Sequence, residues 1–173
     1  LFEQLGEHGY RLVELDTLLA RRIQPSDRFA MPDGITVREA RRDEATAWVS
    51  VSLASFSDTG APAPGGHPEV YEALFQLPTT SYFFASIDGE IAGTAAIDLQ
   101  SGTAQLFATS TRHGARGRGV QTALIAARLA FAQAAGCDLT FMRTEAGSGS
   151  QRNAERQGFR PLYSKAILEK RFD

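Results

Sequence analysis

The sequence predicts a mixed α/β domain on three observations. Residues 82–111 read as three consecutive strands: the apolar runs Tyr82–Ile87 and Ile91–Leu99 meet at Asp88-Gly89, a two-residue hairpin turn, and Ser101-Gly102 leads into Thr103–Thr111. Val120, Leu124, Ala127, Phe131 and Ala134 recur at spacings of 4, 3, 4 and 3, the period of one helix face. Between the last of those strands and that helix stands the glycine- and arginine-rich stretch Arg116-Gly117-Arg118-Gly119-Val120-Gln121.

The elements follow in order. Leu1 to Gly9 reads as a helix end closed by glycine, and Tyr10 to Arg22 as a strand carrying Leu12, Leu15, Leu18 and Leu19. Gln24 to Gly34, with Pro25, Pro32, Asp33 and Gly34, reads as a linker. A short strand from Ile35 runs into a helix start with Asp43 as the expected N-cap, and Ala45 to Phe56, with Trp48 and Val51, is the helix. Asp58 to Pro68 is a proline- and glycine-rich loop, followed by a second helix from Glu69 to Leu77 that Pro78 closes. After the three strands and the long helix come a strand from Cys137 to Thr144, a helix from Ser148 to Gln157, and a final strand through Gly158-Phe159-Arg160 to Arg171.

A strand that feeds a glycine-rich turn into a helix start leaves backbone N–H groups without intrahelical partners. The helix dipole adds roughly half a positive charge at the same point. Such a turn suits a phosphate, and Arg116 and Arg118 add charge. A P-loop would need Gly-Lys-Ser/Thr, which is absent; a dinucleotide fingerprint would need glycine at position 122, which is Thr122. The stretch resembles the acetyl-CoA loop of the GNAT N-acetyltransferase superfamily, RxxGxG/A, matching at Arg116 and Gly119 and departing at Gln121. The element order β-α-α-β-β-β-α-β-α-β from residue 35 to 173 is similar to that family's as well.

The resemblance implies a GNAT fold, a mixed and mostly antiparallel central sheet flanked by helices. It implies acetyl-CoA as cofactor, held by Thr109, Ser110 and Thr111 at the strand end, by Arg116, Gly117, Arg118, Gly119, Val120, Gln121 and Thr122 at the turn, and by Ser150 and Asn153 beside the pantetheine arm. The Ser150 hydroxyl has a second use as a helix cap. The resemblance does not carry over catalytic residues: the family's tyrosine acid falls at Ala154, its asparagine at Gly147, and its glutamate base near Thr103. Glu145 is the candidate base and Tyr163 the candidate acid; a solvated strand end and sheet packing are the other uses such residues have.

The first residues echo the last. With Gly9 set on Gly158, the two segments run in register to Ile23 and Phe172: Gly9-Tyr10-Arg11 on Gly158-Phe159-Arg160, Leu18-Leu19 on Ile167-Leu168, Arg21-Arg22 on Lys170-Arg171. The expected organisation is therefore residues 1–23 as the tail of a preceding GNAT-like half, 24–34 as linker, and 35–173 as the acetyltransferase domain. The whole resembles the C-terminal half of a tandem GNAT protein.

Composition narrows the function class. Of 173 residues, 43% are hydrophobic and 22% charged, as in ordinary globular domains. A net charge of −2 argues against a dedicated nucleic-acid binder. The single cysteine, Cys137, is expected buried, and His8, His67 and His113 lack metal-ligand spacing. No apolar run or secretory segment points to a membrane, so the cytoplasm is the expected location. The expected function is acetyl transfer from acetyl-CoA to an amine of a small molecule or peptide; the alternative is a CoA-binding or structural half without catalysis. A homodimer or pairing with an N-terminal half is the expected association.

Overall fold

The computed structural model describes residues 1–55, 73 and 75–172. Its elements are α1 (Phe2–Glu7), β1 (Arg11–Arg22), β2 (Ile35–Glu39), α2 (Ala45–Ser55), β3 (Thr80–Ile87), β4 (Glu90–Gln100), β5 (Thr103–Thr111), α3 (Val120–Ala134), β6 (Leu139–Glu145), α4 (Gly149–Arg156) and β7 (Arg160–Glu169). Seven mostly antiparallel strands with flanking helices make a mixed α/β fold. The expected loop 58–68, with His67, and most of the expected helix 69–77 lie outside the described residues.

The chain divides into two compact units, residues 22–141 and residues 1–21 with 142–173. In the larger unit β2, β3, β4 and β5 pair in sequence order, each neighbour antiparallel. Asp88 (φ 52°) and Gly89 (φ 82°) both take positive φ, the tight hairpin turn expected of Asp-Gly. Ser101 (φ 49°) and Gly102 (φ 79°) repeat it between β4 and β5.

The period-2 alternation of a strand sorts the aromatic residues of β3. Tyr82 and Phe84 join Trp48, Leu53 and Phe75 in one cluster, while Phe83 meets Phe131 of α3 edge-on at 5.4 Å between ring centres. Tyr82 stacks on Phe75 at 3.7 Å, and Trp48 stands edge-on to both. The indole N–H of Trp48 donates to the Phe83 carbonyl at 3.1 Å, which satisfies its one polar atom in the core.

Two expectations need correction. Asp43 does not cap α2: residues 42–44 form a 3₁₀ turn, and the Glu44 carboxylate accepts from the Arg41 N–H at 2.9 Å, while Asp43 pairs with Arg41 at 3.1 Å. The buried face of α3 is also rotated from the one its spacing predicts. Val120, Ala123, Leu124, Ile125, Ala126, Arg128, Leu129 and Ala132 are buried, whereas Ala127 and Phe131 are half-buried and Ala134 is exposed. The helix is apolar almost all round, so spacing alone does not choose its inner face.

In the smaller unit the strand order is β6-β1-β7, with β1 antiparallel to β7. Cys137 is buried as expected, though it precedes β6 instead of lying within it. Among the described residues no helix is long and apolar enough to cross a membrane.

Candidate functional site

The turn between β5 and α3 is built from the chain's own local preferences. A 3₁₀ turn, His113–Ala115, carries the backbone off the strand, and the Arg116 and Arg118 amides donate back to His113 and Ala115. Gly117 (φ 76°) and Gly119 (φ 89°) then take left-handed backbone, which only glycine adopts without strain. Gly119 is the N-cap of α3, and no side chain caps that terminus. The first intrahelical bond runs from the Ala123 N–H to the Gly119 carbonyl at 3.0 Å. The backbone at the start of α3 is thus arranged as an anion-binding terminus.

The expected turn residues divide by role. Arg118 is exposed and lies 3.7 Å from Asp88. Arg116, also exposed, donates to the Ser55 carbonyl at the end of α2 at 3.0 Å, so its guanidinium ties the turn to a neighbouring helix. Val120 is 1% exposed, which leaves its backbone, not its side chain, for a ligand. Gln121 and Thr122 are half-buried. A groove of about 210 Å³ runs beside the turn, lined by Ile87, Ile91 and Ala92 on its apolar side and by Arg112, Gly114 and Arg118 on its turn side.

The strand that leads into the turn is bulged, and nothing in the sequence announces it. Thr94 pairs with Ser110 and Ala96 with Phe107, so two residues of β5, Ala108 and Thr109, stand against one of β4. Ala108 takes φ 46°, a left-handed conformation uncommon outside glycine. A bulge of this kind interrupts the ladder and redirects backbone groups. Alongside it, a Cβ on Gly93 would fall 2.5 Å from the Ser110 carbonyl oxygen and 2.8 Å from Val120 Cγ1, so only glycine lets β4, β5 and α3 approach this closely.

Arg128 holds the bulge from below. It is fully buried on α3; its Nε donates to the Leu124 carbonyl (2.9 Å), Nη1 to the carbonyls of Ala96 (3.0 Å) and Phe107 (3.2 Å), and Nη2 to Thr109 Oγ1 (2.9 Å). Burial pulls its pKa down to about 9, still above neutrality, so the group is a cation at pH 7. Sequence reasoning missed it, although a lone arginine inside Ala123–Ala132 was the available signal. Of the expected strand-end residues, Thr109 is turned inward to Arg128, Ser110 exchanges a 2.6 Å hydroxyl bond with Thr94, and Thr111 pairs with Gly93.

The remaining expected residues belong to the smaller unit. Ser148, not Ser150, caps α4, accepting from the Gln151 N–H at 3.1 Å; Ser150 is the second helical residue. Asn153 Oδ1 accepts from Arg156. Glu145 is exposed at the end of β6, and Tyr163 is 59% exposed on β7, opposite Leu18. Among the described residues no group of three or more His, Cys, Asp or Glu is placed to hold a metal.

The sequence profile of the Acetyltransferase (GNAT) family matches residues 42–159. No curated protein matches the chain. Among solved structures, a GCN5-related N-acetyltransferase from Sphaerobacter thermophilus superposes with a TM-score of 0.72 at 19% identity, over 96% of this chain and 54% of that one. A tandem GNAT protein from the clavulanic acid biosynthesis pathway gives 0.64 at 15% identity, over 96% and 56%. A predicted acetyltransferase with acetyl-CoA from Clostridium acetobutylicum gives 0.61 at 15% identity, over 73% and 90%. The chain thus spans little more than half the length of the first two.

Proposed function

Because the chain belongs to the Acetyltransferase (GNAT) family, we propose that it transfers the acetyl group of acetyl-CoA to an amine of a small molecule or peptide. The observation that carries this reading is the uncapped, positive-φ turn at Gly117 and Gly119 that opens α3. The residues there fit the cofactor: the backbone amides of Gly117, Gly119, Val120 and Thr122 would take the pyrophosphate, Arg112 and Arg118 the flanking negative charge beside Glu90, and the apolar groove wall an aromatic base. That the Clostridium protein is described with acetyl-CoA supports the choice of cofactor.

Acetyl-CoA supplies a thioester whose carbonyl accepts the amine and whose thiol departs. What the protein must do is manage protons. An alkyl ammonium with a pKa of about 10.4 is neutral in only about one molecule in 2,500 at pH 7, so removal of its proton is the demanding step. The candidates for these proton transfers remain Glu145 as base and Tyr163 as acid, both carried by the smaller unit. Glu145 would take one proton of the ammonium, Tyr163 would give its proton to the departing thiolate, and the second proton of the attacking nitrogen would return to the tyrosinate, which leaves a neutral amide and a free thiol. A thiol of pKa about 8.5 leaves readily as the thiolate, so the acid matters less than the base. We place the reaction in the cytoplasm.

One observation favours the second reading, a half that binds CoA without catalysis. Ala154, at the family's tyrosine position, is 0% exposed, so packing fills the place of the usual acid. Calorimetric titration with CoA, together with thiol release from acetyl-CoA across a panel of amines, separates the two. Binding with release establishes the enzyme; binding without release for any amine favours the second reading; no binding removes both. In the active enzyme, Tyr163→Phe is expected to lower turnover roughly 10²–10⁴-fold, the usual worth of a general acid, with CoA affinity unchanged. Normal turnover would leave Tyr163 a surface residue of β7.

A further inference from the structure

Within the β5 bulge, Thr109 is joined to a buried charge. Its Oγ1 accepts a hydrogen bond from Arg128 Nη2 at 2.9 Å. A guanidinium only donates, so the threonine keeps its own O–H proton in that bond. Among the described residues this proton has no acceptor. The neighbouring hydroxyls are spent: Ser110 and Thr94 bond each other at 2.6 Å and are 4% and 0% exposed. Thr109 is half-buried, so part of it faces outward.

The bond to Arg128 changes what that proton can do. Burial is the only influence on the Arg128 pKa, so no carboxylate of the described residues offsets its charge. A hydroxyl that accepts from a cation becomes a stronger donor through its own O–H, because linked hydrogen bonds polarise one another in a low local dielectric. The position fits a ligand held at the candidate turn. Arg128 stands on α3, so Thr109 Oγ1 lies on the α3 side of the sheet, where the helix begins at Gly119. Val120 and Arg128 are eight residues apart, about 12 Å along the helix axis. A cofactor arm that leaves the turn along β5 passes Thr111 and Ser110 and comes to Thr109.

The geometry points to Thr109 as a hydrogen-bond donor to the sulfur of the departing thiol, with Arg128 as the positioning residue behind it. This role rests on the acetyl-CoA reading above. As the C–S bond breaks, its electron pair goes to sulfur. The Thr109 O–H stabilises that charge without giving up its proton, and the thiolate keeps the pair until a separate acid such as Tyr163 protonates it. A fixed donor backed by a buried cation thereby eases departure of the thiolate before any proton arrives.

The test titrates CoA bound to the protein with base and follows the ultraviolet absorbance of the thiolate, which reads the site without turnover. A hydrogen bond to the charged form favours that form, so the bound thiol is expected to ionise about tenfold more readily than a free thiol of pKa about 8.5. Thr109→Val is expected to remove most of that gain with CoA affinity below neutral pH unchanged, and Thr109→Ser to restore it. Arg128→Met is expected to lose the same gain, and the two changes together no more than either alone. In acetyl transfer, Thr109→Val is expected to lower kcat about tenfold with KM for acetyl-CoA unchanged. A bound thiol that ionises like that of free CoA, or alike in the native and Thr109→Val chains, would overturn the role of Thr109 and leave the acetyl-CoA reading standing. Failure of the native chain to bind CoA would overturn both.

Discussion

The two glycines of the candidate cofactor turn share one backbone reason and differ in their surroundings. A Cβ on Gly117 would meet nothing within 4 Å, so its φ of 76° is the sole constraint. A Cβ on Gly119 would meet Pro32 at 3.4 Å and Ile35 at 3.5 Å in addition to its φ of 89°. Gly117→Ala is expected to cost about 1–2 kcal/mol, the left-handed penalty, with a modest effect on CoA. Gly119→Val adds collision with Pro32 and Ile35 and is expected to lower CoA affinity at least tenfold. Thermal melts and calorimetry check both, and unchanged affinity in Gly119→Val would end the claim that this backbone meets the phosphate. A third residue sets an acid limit. Arg38 holds Glu44 with two bonds of 2.7 and 2.8 Å and the Arg41 amide adds a third, so the carboxyl pKa falls to about 2. A lowered carboxyl pKa contributes stability above the unfolded value of about 4.3 that is lost as pH falls toward the folded value. Denaturant midpoints between pH 5 and 2 are expected to fall more steeply in the native chain than in Glu44→Gln; equal slopes would show that Glu44 contributes nothing.

At the scale of elements, the bulge in β5 and the helix beneath it act as one device. Arg128 supplies a charged donor to carbonyls on both β4 and β5 and to the Thr109 hydroxyl, which pins the strand where the ladder is interrupted. Arg128→Met fills similar volume but strands those acceptors, at about 1–3 kcal/mol for each buried group left unsatisfied. The expected result is a lower urea midpoint and faster amide exchange at 107–110, together with weaker CoA binding. A variant with native exchange there would show that the bulge holds itself. The same elements show what was readable locally. The Asp88-Gly89 and Ser101-Gly102 turns were legible because positive φ has a compositional signature, whereas β3 read only as an apolar run, and packing decided which of its aromatic residues face which set. Ala108 has no such signature, since its conformation follows from the register of β4 against β5.

For the whole molecule, the first strand matters more than its position at the chain start suggests. Leu19 is 0% exposed, and β1 pairs with β7 along nearly its full length. Burial of one such leucine is worth about 1.5–3 kcal/mol before entropy costs, and deletion of residues 1–22 removes the ladder as well. We expect the deletion to lower Tm by several degrees and to open amides 160–169 to exchange, because an isolated strand has no other ladder in its unit. Unchanged stability would make β1 an ornament on β7.

What the sequence by itself determined is whatever a short window of chain decides: the hairpin turns, the helix after the glycine-rich turn, the likeness to acetyltransferases, and the echo between residues 9–23 and 158–172. These rest on backbone preferences and periodicities that a few neighbouring residues express. Tertiary structure alone decided which face of α3 is buried, that Arg128 reaches Thr109 through the core, that Arg116 ties the turn to Ser55, and that Asp16 stands opposite Lys165 in the β1–β7 ladder. Each of these joins residues far apart in the chain, where pairing register and packing, not local propensity, set the free energy.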